Sequence, residues 1–560
     1  MAITNRCSKT SVFALACSML AQSSAFGQGV PTESPEEQVL RGTVVNRLTH
    51  EPIGRALVFS PGKEFATLSD NDGHFALALP RSREGDAGKV NWPNALTALK
   101  PGFVEDPNQW YPAVPGMELT IAVTPEALVI GHVQLPSAEA MDGIEVEIYR
   151  RQVEDGRPHW VSAGVTRTKS NGEFRFAELA AGSYKLLTRE LIDRDPVSSY
   201  PGGQVFGYPP AYFPNASDFS KAETIQLAAG QTVQTAISLV EQAYYPVKVP
   251  VMNVSAGTTV RVSVSPQGRQ GPGYSLVYHD AGQIEGLLPN GSYTIEATSG
   301  EPAPRSGSVN IRVQGGAREG PRLIMVPNHA IPVNVKEEFT SPSESGSPAV
   351  IARGSKRALQ GAYLRLYLVP VDDFDGRGRA SLGSSSGAGE NDLLIEDVRP
   401  GRYWVKVRSS RGYASSITSG GIDLEHQPLV VPARGPIEIT MRDDWAEIDS
   451  TVEGIAAGSG GESPNRSGLV SPASSAHVYF VPQPDSPGEF REALVAPDGK
   501  LNLSRLPPGV YRVLVFDRPQ ADLEYHDPEA MRAYETEGPL LRLAPGQNPP
   551  LRLQVSAISE

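Results

Sequence analysis

Four stretches carry residue types that could do chemistry. His526-Asp527-Pro528-Glu529 has the H-x-x-E spacing of a zinc-ligand pair. Such a site needs a third ligand, a downstream histidine, and none follows His526. The stretch reads instead as a loop entering a short helix over 527–534. Gly383-Ser384-Ser385-Ser386-Gly387 satisfies G-x-S-x-G. A nucleophile elbow needs a buried strand before it and a helix after it. The flanks here, Arg377-Gly378-Arg379 and Ala388-Gly389, are those of a flexible loop. Asp70-Asn71-Asp72-Gly73 and Asp372-Asp373-Phe374-Asp375-Gly376 resemble partial calcium loops, but neither has the bidentate glutamate at the twelfth position. Hairpin turn chemistry accounts for the first. A weak surface calcium site is the alternative for the second. With no complete zinc or nucleophile constellation, the expectation is a protein without catalytic residues, metal or cofactor.

A fifth stretch offers binding chemistry. Tyr200, Phe206, Tyr208, Tyr212, Phe213 and Phe219 form the densest aromatic cluster in the chain, with prolines at 201, 209, 210 and 214. Tyrosine gives a flat apolar face with a polar tip. Sugar rings stack on such faces, and protein interfaces favour them. These six residues are the candidate ligand-binding set. The competing reading is an insert that packs its aromatics onto its own domain.

The elements around these stretches follow one unit. Asn171-Gly172 turns into an alternating strand with Phe174 and Phe176 on one face. A short connection through Leu179 and Gly182 leads to a second strand from Tyr184. The unit recurs with Leu288, Gly291 and Tyr293, with Val398, Gly401 and Tyr403, and with Leu506, Gly509 and Tyr511. In each copy the apolar residue stands five before the tyrosine and the glycine two before it. The turn residue, Gly172, Gly282, Asn391 or Gly499, stands eleven or twelve before it. The tyrosines are spaced by 109, 110 and 108 residues. A constant period of that size means tandem domains, each as large as a small β-sandwich. The recurring glycines and tyrosines are structural.

Length and composition agree. The chain has 560 residues, with 55 glycines and 49 prolines, and few stretches of helical periodicity. The start reads as a signal peptide over 1–27. Arg6 and Lys9 precede an apolar run, and Ala25-Phe26-Gly27 offers small residues for cleavage. Residues 28–37 read as a mobile leader. Both cysteines, Cys7 and Cys17, fall in the signal, so the mature chain has no disulfide, thiolate metal site or cysteine nucleophile. Removing Arg6 and Lys9 takes the net charge from −13 to −15. That balance argues against nucleic acid. No transmembrane segment is expected after signal cleavage.

Leu40-Arg41-Gly42-Thr43-Val44-Val45, Pro52-Ile53-Gly54-Arg55-Ala56-Leu57-Val58, Ser69-Asp70-Asn71-Asp72-Gly73-His74-Phe75 and Lys100-Pro101-Gly102-Phe103 follow one another in the first domain. This order resembles the carboxypeptidase regulatory-like domain, a transthyretin-like β-sandwich. Ile130-Gly131-His132-Val133 and the stretch from Thr168 to Tyr184 carry the resemblance into the second domain. In metallocarboxypeptidases that domain is an accessory module, so the resemblance implies no peptidase activity. It departs from the pattern in domain 1, where 80–93 is an insertion and the G-x-Y is missing.

The expected fold is all-β with little helix: about five tandem β-sandwiches, transthyretin-like or Ig-like. They are placed at 38–125, 126–241 with the aromatic insert 200–219, 243–329, 330–443 and 445–558. Residues 341–357, 376–389 and 456–475 read as disordered loops. The expected function is that of a non-catalytic protein exported to the periplasm, the cell surface or the exterior, binding carbohydrate or an envelope protein. A spacer or adhesion array is the alternative, and a hydrolase with an unrecognised site is the second.

Overall fold

The computed structural model describes residues 39–79, 93–104, 111–113, 118–192, 203–255, 257–269, 271–279, 282–300, 304–340, 364–371, 380–381, 383–384, 393–453, 476–484, 486, 488–496, 498–516, 519–520 and 522–555. The expected signal peptide over 1–27 and leader over 28–37, the loops expected at 341–357 and 456–475, Tyr200 and Asn391 lie outside these residues. So do Ser385 to Gly387 of the G-x-S-x-G stretch and all of 372–376.

The fold is all-β and multi-domain, as the composition and the period predict. Each domain stacks two sheets over one core, and five such cores follow along the chain. The wiring repeats. The first strand of a domain pairs antiparallel with the strand of the repeated unit and parallel with a late strand. In domain 1, Val39–Asn46 lies between His74–Ala78 and Leu119–Pro125. In domain 2, Ala127–Gln134 lies between Glu173–Leu179 and Thr232–Ser238. Gln242–Met252, His329–Glu338 and Ala446–Glu453 take the same place in domains 3, 4 and 5. Alternation supplies the core: Val129, Val133, Phe174, Phe176 and Ile237 all bury toward one side.

The periodic tyrosines share one geometry. All four rings are buried, and each hydroxyl donates to the carbonyl four residues upstream. The pairs are Tyr184–Ala180 at 2.7 Å, Tyr293–Pro289 at 2.9 Å, Tyr403–Arg399 at 2.9 Å and Tyr511–Pro507 at 2.6 Å. Burying a phenol requires a partner for its O–H, and this connection supplies one. In domain 3 the ring's return also explains the glycine two before it, since a Cβ on Gly291 would stand 2.7 Å from the Tyr293 hydroxyl. In domain 5 a Cβ on Gly509 would instead meet the Ser486 hydroxyl, and in domain 2 Gly182 takes a positive φ of +149°. Leu179, Leu288, Val398 and Leu506, five before the tyrosines, are buried.

One helix forms in domain 5, Pro528–Arg532, with Asp527 accepting from the Glu529 amide as its N-cap. Asp70 accepts from the amides of Asp72 and His74, at 2.9 and 2.8 Å, so its carboxylate serves the hairpin turn.

Candidate functional site

The aromatic insert is built onto the outer face of domain 2. On strand Gly182–Thr188, Tyr184 and Leu186 point into the core, so Lys185 and Leu187 point out. The insert covers them. Phe219 packs edge-on against Tyr149 and Trp160, with ring centroids 5.3 and 5.8 Å apart. Asp218 caps a short 3-10 turn, Phe219–Lys221, by accepting from the amides of Ser220 and Lys221. Lys185, buried, donates through Nζ to the carbonyls of Phe219 at 2.9 Å and Ser220 at 3.0 Å. Burial holds its ammonium below the usual lysine pKa, with Asp218 acting the other way.

This packing sorts the six aromatic candidates. Tyr212 is 5 % exposed and Phe219 is 1 % exposed, so their rings serve the fold rather than an open stacking face. Tyr208 and Phe213 are half-buried against the domain 2 core. Phe206 is exposed. Tyr200 lies outside the described residues. The insert also crosses a domain boundary. Its strand Val205–Tyr208 pairs with Gln242–Met252, the first strand of domain 3. Gln204 donates to the Tyr244 carbonyl at 2.7 Å, and Glu190 accepts from the Ser275 amide at 3.0 Å. The insert is thus a strap that fixes domain 2 to domain 3.

Between those two domains lies a cleft of about 530 Å³. Its walls are the returning arm of the insert, through Tyr212, Asn215 and Ser217, and the domain 3 turns carrying Gln267, Tyr274 and Asn290. Amides and hydroxyls dominate. Tyr212, Tyr274 and Tyr293 form the aromatic part, and burial raises the pKa of all three, to about 12 for Tyr293. They are therefore neutral hydroxyl groups at ordinary pH. Such a lining can exchange hydrogen bonds with the hydroxyls of a sugar, with Tyr274, half-buried, as the one ring among the three open to contact.

A second cleft, of about 590 Å³, opens where domains 2, 4 and 5 meet. The tip of the domain 2 hairpin, Glu145–Glu154 with Arg157–Arg167, reaches into it. Asp155 pairs with Lys406, and the Arg157 guanidinium stacks 3.9 Å over Trp404. Arg151 meets Glu524 at 2.5 Å, and the His526 amide donates to the Gly156 carbonyl at 3.3 Å. A Cβ on Gly156 would stand 2.7 Å from the Tyr525 ring. Burial raises Asp155, but Lys406 outweighs it and holds the carboxyl below its ordinary value. Burial pushes Glu425 up to about 7, with the Asp423 carboxylate adding to it. Burial, then the charges of Arg157 and His426, takes His526 down to about 4.

His526 thus faces the domain junction, whereas Glu529 sits beside Arg532 on the exposed helix. Among the described residues, the group able to hold a metal ion is Asp423, Glu425 and His426, and it includes neither. His426 and Asp423 already hydrogen-bond at 2.7 Å. No local pattern flags Lys185, Trp404 or Glu425 in the sequence, because their partners lie in distant segments.

No family model matches the chain, and no curated protein matches it. Solved structures give distant likenesses. A streptococcal ancillary pilin is 12% identical, with 51% of this chain and 99% of that chain covered, at a TM-score of 0.16. The shaft pilin SpaA from Lactobacillus rhamnosus GG is 11% identical, covering 37% and 98%, at 0.14. The major pilin subunit of Bacillus cereus is 9% identical, covering 77% and 99%, at 0.14. At such scores no functional statement rests on them. Among the described residues no helix is long and apolar enough to cross a membrane.

Proposed function

We propose that this chain is an exported, non-catalytic β-sandwich protein that binds carbohydrate in the cleft between domains 2 and 3. One observation carries the reading: tyrosines, amides and hydroxyls line a cleft of about 530 Å³ built by the insert and the domain 3 turns. Tyr274, half-buried, offers the one accessible ring among the three tyrosines, and Asn215, Ser217 and Gln267 offer donors and acceptors. The insert contributes by forming a wall, not by displaying six rings. In the same reading, domains 1 and 2 are regulatory-like modules, supported by the strand order and the hairpin turn at Asp70. Export rests on the signal at 1–27.

The docking of the domain 2 hairpin on domains 4 and 5 favours this reading over an extended spacer, since it folds the array back on itself. A glycan array probed with wild type and with Gln267→Ala plus Ser217→Ala tests it. Binding by wild type that the double variant loses, with unchanged melting, is the expected result. Silence of wild type across the array overturns the reading.

A further inference from the structure

Among the described residues, the cleft between domains 2 and 3 has one charged side chain on its wall, Arg269. No described aspartate or glutamate lines it, in a chain with 63 acidic and 50 basic residues. Arg269 sits on the turn after Val260–Pro266, its amide donating to the Pro266 carbonyl at 3.3 Å. Its guanidinium makes no ion pair with any described residue. It acts on the hydroxyls of Tyr212, Tyr274 and Tyr293, opposing the rise that burial gives their pKa. Arg269 therefore stands beside the aromatic part of the cleft. The nearby carboxyl, Glu190, is not on the lining. Burial raises its pKa, and one oxygen is already held by the Ser275 amide.

We infer that the saccharide this cleft takes carries a carboxylate, as a uronic acid does, and that Arg269 receives it. The inference rests on the carbohydrate reading above. A guanidinium presents a planar fork that matches the two oxygens of a carboxylate. The neutral groups around it suit the remaining hydroxyls of the sugar. The ligand's own charge supplies the counter-ion that the described residues do not. The net charge of the chain repels polyanions in general, so affinity for an acidic glycan requires a local cation.

Isothermal titration with oligomers of galacturonic, glucuronic and mannuronic acid, each beside its neutral methyl ester, tests this on the whole protein. Wild type should bind one acid at least about ten-fold more tightly than its ester, the worth of one charge-assisted pair. Arg269→Gln should bring the acid down to the affinity of the ester, and Arg269→Lys should keep part of the preference. Arg269 is on an exposed turn, and unchanged melting of both variants shows that the fold is kept. Equal affinity for acid and ester in wild type overturns the inference, as does a preference that survives Arg269→Gln. Binding of sulfated dextran without any carboxylated oligomer overturns the carboxylate assignment. Neutral glycans bound on the array with no acid preference sink this inference alone, whereas a silent array sinks the carbohydrate reading itself.

Discussion

The Tyr511 hydroxyl donates to the Pro507 carbonyl at 2.6 Å, with the ring fully buried. The same bond recurs in domains 2, 3 and 4, so a single local device marks each repeat of the period.

Its two parts can be separated. Tyr511→Phe keeps the ring and leaves the Pro507 carbonyl without its donor, which should cost about 1–3 kcal/mol. Tyr511→Ala also removes the ring, and about 3–5 kcal/mol is expected. Denaturant unfolding followed in domain 5 checks both. Equal losses for the two variants would show that the bond, rather than the packing, dominates.

Phe219 and Phe206 belong to one insert but to opposite environments. Phe219→Ala should lower the stability of domain 2 by about 3–5 kcal/mol, while Phe206→Ala should stay within about 0.5 kcal/mol. Melting curves of the two variants decide. A Phe206 variant as unstable as the Phe219 variant would contradict the burial seen here.

Gly156 allows the hairpin tip to lie against Tyr525. Gly156→Val adds bulk where a Cβ already stands 2.7 Å from that ring, at a φ of +67°. The hairpin should lift from domains 4 and 5 while each core stays folded. Hydrogen exchange should rise at 404–408 and 525–526 and stay unchanged at 127–134. An unaltered pattern at the junction would rule out this docking.

Acidity should act on the same junction through two groups of opposite sign. Glu425 has a folded pKa of about 7 against an ordinary 4.5. The folded state then holds the extra proton between those values, and stability falls as pH rises through them. His526 has a folded pKa of about 4 against an ordinary 6.5. The unfolded state holds the extra proton there, and stability rises with pH. In wild type the slopes oppose each other. Glu425→Gln should leave the rise and His526→Gln the fall, read as melting temperature from pH 4 to 7. Two variants that both run parallel to wild type would remove these assignments.

The tyrosine unit was legible because its cause is local: a ring, a carbonyl four residues back, and a glycine between them. The recurring β-bulge was not. It places Glu178, Asp397 and Arg505 at positive φ, six before the tyrosines, and these share no residue type. The density of aromatics in the insert was legible, but not their direction. Phe219 turns inward because it covers Lys185, and alternation alone puts that lysine outside without saying what covers it. The junction joins Asp155 to Lys406 across 251 positions, a pairing that no local pattern reports.

The most direct measurement is hydrogen exchange of the whole protein with and without the glycan that binds it best. Protection should gather at 209–217, 266–269 and 290–293, the three segments that wall the cleft between domains 2 and 3. Protection elsewhere with these segments unchanged would contradict the account.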